Sequence, residues 1–215
     1  MSNIQAVLFD LDGTLIDSEY FYFSNWQPIL EEHFDLLISF EDWIDYFAGH
    51  TLVHNVQLLK EKWGIDTSED FMWKETRANY AKSDMRTIRL MPYAKEILTE
   101  LQQRGIRIGL VTSSYQTTVE TVLGHHGLLN YFEFFVTREK VNNPKPDPEP
   151  YLLGLSLLNL AAKQVIAIED TSTGVAAAKG AGLHCFAVSK HVSERAKLGD
   201  ADKLFFDLEE VIREV

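Results

Sequence analysis

The chain has a single cysteine, Cys185, in 215 residues. An internal disulfide is therefore excluded, and a lone thiol within an apolar run reads as a small core residue rather than a reactive group. Positive charge is also scarce, with 20 basic residues against 32 acidic ones and a formal net charge of −12. That balance disfavours non-specific binding to nucleic acid or an anionic membrane, although one local basic pocket is compatible with it. Long hydrophobic runs are missing, since no stretch reaches the roughly 18 apolar residues of a membrane span. The opening MSNIQAVLFD has no basic region leading into an apolar one, and no repeat or low-complexity tract is visible. These absences lead us to expect a soluble, reduced, cytoplasmic protein with no nucleic-acid or membrane partner, monomeric by default.

What the chain does have is alternation. Apolar, β-rich runs occur at Ile4 to Phe9, Ile106 to Val111, Phe134 to Val136, Val165 to Ile168, His184 to Val188 and Lys203 to Phe206. Between them lie helix-like segments: Pro92 to about Gly105, from about Gln116, Pro148 to Leu160, Ser172 to Ala181, and from Leu208. Short apolar strands alternating with helices predict an α/β fold, a Rossmann-like doubly wound parallel sheet covered on both faces. Residues 18–86 break the pattern with several helices rich in Trp and Tyr, among them Tyr20, Trp26, Trp43, Trp63 and Trp73. We read those aromatics as a small helical core. The expected organisation is a core of residues 1–17 and 87–215 with a helical insertion of residues 18–86.

Parallel sheets of this kind place ligands beyond the carboxyl ends of their strands. Asp10, Thr112 and Glu169-Asp170 each close an apolar run, so three segments can deliver polar groups to one edge. In Asp10-Leu11-Asp12-Gly13-Thr14, two carboxylates two residues apart share a strand face before a glycine turn. Thr112-Ser113-Ser114 offers hydroxyls and backbone N–H groups suited to an anion. Lys145, in Asn143-Pro144-Lys145-Pro146-Asp147-Pro148, sits in a proline-stiffened loop. Several converging carboxylates repel one another unless a hard cation joins them, and oxygen ligands suit magnesium. Metal, anion site and carboxylate nucleophile together describe phosphoryl transfer.

These residues resemble the motifs of the haloacid dehalogenase superfamily of hydrolases: Asp10-Leu11-Asp12-Gly13-Thr14, Thr112-Ser113, Lys145 in its proline loop, and Glu169-Asp170-Thr171 with Gly174 and Ala177-Ala178. The match covers essentially the whole chain. It is nearest to the branch that holds β-phosphoglucomutase and small-molecule phosphatases, whose α-helical cap domain is inserted just after the first motif. The resemblance implies that Asp10 is the nucleophile and a magnesium ligand, and that Asp12 is the acid–base, with its backbone carbonyl helping to hold the metal. It further implies that Thr112, Ser113 and Lys145 bind the phosphoryl group, that Asp170 ligates Mg2+, and that Glu169 is a ligand or a partner of one.

Asp12 argues against dehalogenation, because displacing halide requires no acid for the leaving group. At the positions where β-phosphoglucomutase is expected to carry an assisting histidine and lysine, this chain has Tyr22 and Thr76, beside Arg77. Both departures favour a phosphatase over a mutase. The resemblance thus implies a magnesium-dependent phosphatase of small phosphorylated metabolites, such as sugar phosphates, acting through an aspartyl phosphate. The alternatives are a β-phosphoglucomutase-type mutase and a non-catalytic binding protein. Candidate substrate contacts in the cap are Glu19, Tyr22, His50 and Arg77.

Overall fold

Four consecutive apolar residues, Ala6–Phe9, form strand β1 and all are buried, as a strand covered on both faces requires. In the computed structural model, which describes residues 4–215, the chain divides into two compact units. The first comprises Met1–Asp17 and Arg89–Val215, and the second Ser18–Ile88.

In the first unit, β1 is followed by β2 (Ile16–Asp17), which pairs antiparallel with β3 (Arg89–Leu90). An ion pair between Asp17 and Arg89, 3.0 Å long, joins the two. The main sheet adds β4 (Arg107–Val111), β5 (Phe134–Val136), β6 (Val165–Glu169), β7 (His184–Val188) and β8 (Lys203–Phe205). Its order is β5-β4-β1-β6-β7-β8, parallel throughout. The chain leaves β1 towards β4 and β5, then returns to β1's other side for β6 to β8. The order therefore reverses at β1, and ligand crevices form beyond the strand ends at such a reversal. Phe9 stands opposite both Leu110 and Ile168, so Asp10, Thr112 and Glu169 emerge at one edge.

The second unit is built from α1 (Glu19–Phe34), α2 (Phe40–Tyr46), α3 (Leu52–Trp63) and α4 (Glu69–Tyr80). Ser39 caps α2 in a reciprocal arrangement with Asp42, and those bonds hold the Asp42 carboxyl below its ordinary range. The aromatics form the expected core in part: Trp26 and Trp43 are buried, and Phe47 stacks on Trp43 and Trp63. Trp73 and Tyr20 are instead exposed, at 55% and 51%. Thr76 is buried.

Helices α5 (Ala94–Gln103), α6 (Gln116–His125), α7 (Glu149–Leu158), α8 (Ser172–Gly180), α9 (Val192–Lys197) and α10 (Leu208–Glu214) cover the sheet. On α5, Ala94, Ile97, Leu98 and Leu101 are buried, the spacing of one helix face. Two helix boundaries differ from expectation, and two further elements are not announced by the sequence. The helix expected from Pro92 begins at Ala94, because Tyr93 takes the left-handed conformation (φ 64°) and a turn precedes the helix. The helix expected to run to Leu160 ends at Leu158, closed by Asn159 at φ 53°. The polar helix α9 lacks the apolar spacing that would announce it, and neither it nor the β2–β3 ribbon was expected. Cys185 is fully buried in the core, where burial pushes its thiol pKa up. Among the described residues, no helix is long and apolar enough to cross a membrane.

Candidate active site

Asp10 follows β1 directly, its N–H donating to Ile168 O at 2.9 Å across the sheet. Lys145 comes from the loop before α7. Its Nζ donates to Asp10 Oδ1 at 2.6 Å, Glu169 Oε1 at 2.6 Å and Val111 O at 2.8 Å. An ammonium has three N–H bonds, so these acceptors saturate it and fix its position. The pairing is buried: Glu169 is fully enclosed and Asp10 only 7% exposed.

This burial dominates the electrostatics. It lifts the Asp10 carboxyl from an ordinary 3.8 to about 8, Lys145 pulling it down while the charges of Glu169 and Asp12 push it further up. Burial also works against the charged form of Lys145, but the two carboxylates outweigh it and hold the ammonium above its ordinary range. Lys145 therefore stays charged, and the remaining negative charge calls for a second cation.

The donor set fits one. One oxygen from each of Asp10, Glu169 and Asp170 lies within 4.8 Å of the other two. Glu169 Oε2 is buried without a hydrogen-bond partner in the described structure. All donors are carboxylate oxygens, the chemistry preferred by hard divalent cations. Two glycines open the space. Gly13 has φ +74°, and a Cβ there would stand 1.9 Å from Asp170 Oδ2. A Cβ on Gly174 would stand 1.9 Å from Glu169 Oε2.

Asp12 leaves the line of β1 as the chain turns, with Gly13 N–H donating to Ile16 O at 2.9 Å. Its Oδ2 accepts from Ser114 Oγ at 2.6 Å. Thr112 is buried, and its Oγ1 accepts from Ser114 N–H at 2.9 Å. Ser113 is exposed beside them. The structure thus brings Asp10, Asp12, Thr112, Lys145, Glu169 and Asp170 to one sheet edge, and it is Ser114 rather than Ser113 whose hydroxyl engages a carboxylate.

Sequence reasoning missed Tyr151. Fully buried on the first turn of α7, it donates from its hydroxyl to Glu169 Oε1 at 2.5 Å. Burial, then the charges of Glu169 and Asp10, hold its phenol well above its ordinary range, so it remains a donor. The available signal was an aromatic six residues after Lys145, at the opening of the helix that the proline loop feeds.

The remaining candidates lie in the helical unit. Glu19 Oε2 accepts from Trp43 Nε1 at 2.7 Å. Tyr22 packs against Phe21 and Tyr80. His50 is exposed and stacks on His54 with ring centroids 4.1 Å apart. Arg77 is exposed and lies 4.8 Å over the Trp73 ring.

A family model for haloacid dehalogenase-like hydrolases matches residues 7–188. The validoxylamine A 7'-phosphate phosphatase of Streptomyces hygroscopicus subsp. limoneus is 33% identical over 221 residues, covering 96% of this chain and 95% of that protein. The phosphorylated carbohydrates phosphatase of Thermotoga maritima is 31% identical over 180 residues, covering 84% of this chain and 82% of its own. The crystal structure of a HAD family hydrolase from Deinococcus radiodurans R1, with bound phosphate and sodium, shares the fold. Its TM-score is 0.83 at 23% identity, over 98% of this chain and 94% of that one.

Proposed function

The chain belongs to the haloacid dehalogenase-like hydrolases, and from that premise we propose that it is a magnesium-dependent phosphatase of small phosphorylated metabolites, sugar phosphates among them. The observation that carries this reading is the buried Asp10–Lys145–Glu169 constellation, with Asp12 two residues from Asp10. The names of the relatives, phosphatases of validoxylamine A 7'-phosphate and of phosphorylated carbohydrates, support a small phosphorylated molecule as substrate, and the second supports a carbohydrate phosphate.

In this reading a carboxylate oxygen of Asp10 attacks phosphorus and the phosphoester P–O bond breaks, leaving an aspartyl phosphate. Asp12 gives its proton to the departing alkoxide, then takes one from the water that attacks the aspartyl phosphate, and inorganic phosphate leaves with Asp10 restored. Ser114 holds Asp12 at 2.6 Å and so fixes the carboxylate that moves these protons. Lys145 orients Asp10 and keeps a positive charge beside the equatorial oxygens, where transition-state charge spreads. Thr112 and the N–H groups near Ser113 bind the phosphoryl group. Asp10, Asp170, Glu169 and the Asp12 carbonyl would hold the metal, which when bound supplies charge neutralisation and polarises the phosphoryl group.

Substrate choice falls to the helical unit as a cap, through Glu19, Tyr22, His50 and Arg77. The test is hydrolysis of a panel of phosphorylated sugars, nucleotides and glycolytic acids with and without Mg2+, repeated with His50→Ala. Magnesium-dependent phosphate release with a preference for sugar phosphates supports the reading, and an inert chain across the panel overturns it.

A further inference from the structure

We infer that Tyr151 is a positioning residue of this site, holding Glu169 so that one oxygen serves Lys145 and the other stays available to a divalent cation. The inference rests on the phosphatase reading only for the identity of that cation. A carboxylate's terminal torsion is broad, so with Lys145 as its one donor Glu169 could rotate the plane of its two oxygens and swing the second away from the cation position. Two donors converge on one of them: Tyr151 Oη at 2.5 Å and Lys145 Nζ at 2.6 Å both donate to Oε1. Oε2 accepts from none of the described residues and is buried. A buried oxygen without a partner is costly, and the acidic group of Asp10, Glu169 and Asp170 marks where a cation would satisfy it.

The fold delivers the hydroxyl with little freedom. Tyr151 is fully buried, and Gly154, three residues on and thus on the same helix face, brings α7 close to the sheet. A Cβ at Gly154 would stand 3.1 Å from Leu8 Cδ1 and 3.3 Å from Val111 Cγ2. Val111 O is itself an acceptor for Lys145, so the seating of α7 and the placing of the lysine share one strand. Phenylalanine would fill the same volume. Packing alone therefore leaves the hydroxyl unexplained, whereas a buried Tyr O–H needs an acceptor and Glu169 is the one it has.

The experiment measures Mn2+ binding to the metal-free full chain by electron paramagnetic resonance, without substrate, for wild type and Tyr151→Phe. Groups that orient a metal ligand cost about tenfold to a hundredfold in metal affinity when removed, and that loss is expected. Circular dichroism should be unchanged, and kcat for p-nitrophenyl phosphate should fall more than KM rises. Because Tyr151 acts through Glu169, Tyr151→Phe in a Glu169→Gln background should cost nothing further. Wild-type affinity in Tyr151→Phe, or an undiminished loss in the Glu169→Gln background, overturns the inference. Should Tyr151→Phe fail to fold, 3-fluorotyrosine at position 151 keeps ring and hydroxyl but changes donor strength; an Mn2+ affinity that does not move then overturns it. A wild type that hydrolyses no phosphoester yet binds Mn2+ in a Tyr151-dependent way sinks the phosphatase reading and supports the positioning role.

Discussion

Replacing Asp10 with asparagine separates the chemistry of the site from its burial. Asparagine keeps the shape and an acceptor for Lys145 Nζ, which now stands 2.6 Å from Oδ1, but it removes the attacking carboxylate. Turnover of p-nitrophenyl phosphate should fall by on the order of 10⁴ or more, as expected for loss of a nucleophile. Stability should move the other way. The Asp10 carboxyl is raised from 3.8 to about 8 by burial, against the pull of Lys145. The metal-free native state therefore keeps a proton that the unfolded chain has released. A raised value means that the stability is fully present below about pH 3.8 and is lost as pH climbs through about 8. At about 1.4 kcal/mol per tenfold change in proton affinity, the loss across that span is on the order of 5 kcal/mol. Asp10→Asn has no such proton to lose. Urea denaturation in EDTA should give nearly equal stabilities for the two proteins at acid pH, with the variant ahead by several kcal/mol above pH 8. Groups remote from the site titrate alike in both, so the difference curve reports Asp10 together with the neighbours its charge holds, Lys145 above all. A difference that stays flat with pH would refute the electrostatic account, and retained turnover would refute the assignment of the nucleophile.

The other expectations concern the same enclosure and the helical unit. Lys145→Met leaves the Asp10 and Glu169 carboxylates buried without their cation and should destabilise the protein by roughly 3–5 kcal/mol in urea; an unchanged midpoint would contradict the pairing. Gly174→Ala puts a Cβ 1.9 Å from Glu169 Oε2, so Mn2+ affinity and turnover should both drop, and wild-type metal binding would count against the close approach. In thermal scans of metal-free protein, magnesium at a hundred times its Kd should add about 2.7 kcal/mol, and a midpoint indifferent to magnesium would argue against a carboxylate metal site. Leu59→Ala, fully buried in the core of the helical unit, should cost about 2–5 kcal/mol by leaving a cavity, read by tryptophan fluorescence from Trp26 and Trp43; no change would mean that this core tolerates the gap.

Much of the site was legible because its residues sit at strand ends. Asp10, Thr112 and Glu169 each terminate an apolar run, and that is a pattern in one dimension. Lys145 was visible by its setting, a charge between prolines with no helix to join. Tyr151 was not legible, since an aromatic in a helix with several leucines reads as packing, and its hydroxyl matters only for what it meets in space. Nor did the sequence reveal that Ser114 rather than Ser113 would reach Asp12, because that depends on how the chain bends before α6. The helical unit illustrates the same divide. Its wealth of aromatics announced a core, but Trp43 was buried and Trp73 exposed by helix packing that residue type does not encode.

By itself, then, the sequence determined which atoms are available: two carboxylates on one strand end, a fixed cation in a stiff loop, and glycines where the backbone must turn. Their pattern of alternating apolar runs was enough to specify a parallel sheet, because strands buried on both faces admit little else. The tertiary structure decided how those atoms share charge. It placed Lys145 between Asp10 and Glu169, gave one oxygen of Glu169 two donors and the other none among the described residues, and used Gly13 as clearance for Asp170, a carboxylate distant in the chain. Such choices are set by distances of a few ångströms between hydrogen-bonded segments that lie from 18 to 135 residues apart in the chain. Charges in a buried site interact through space and not along the chain, and that is why only the folded protein settles them.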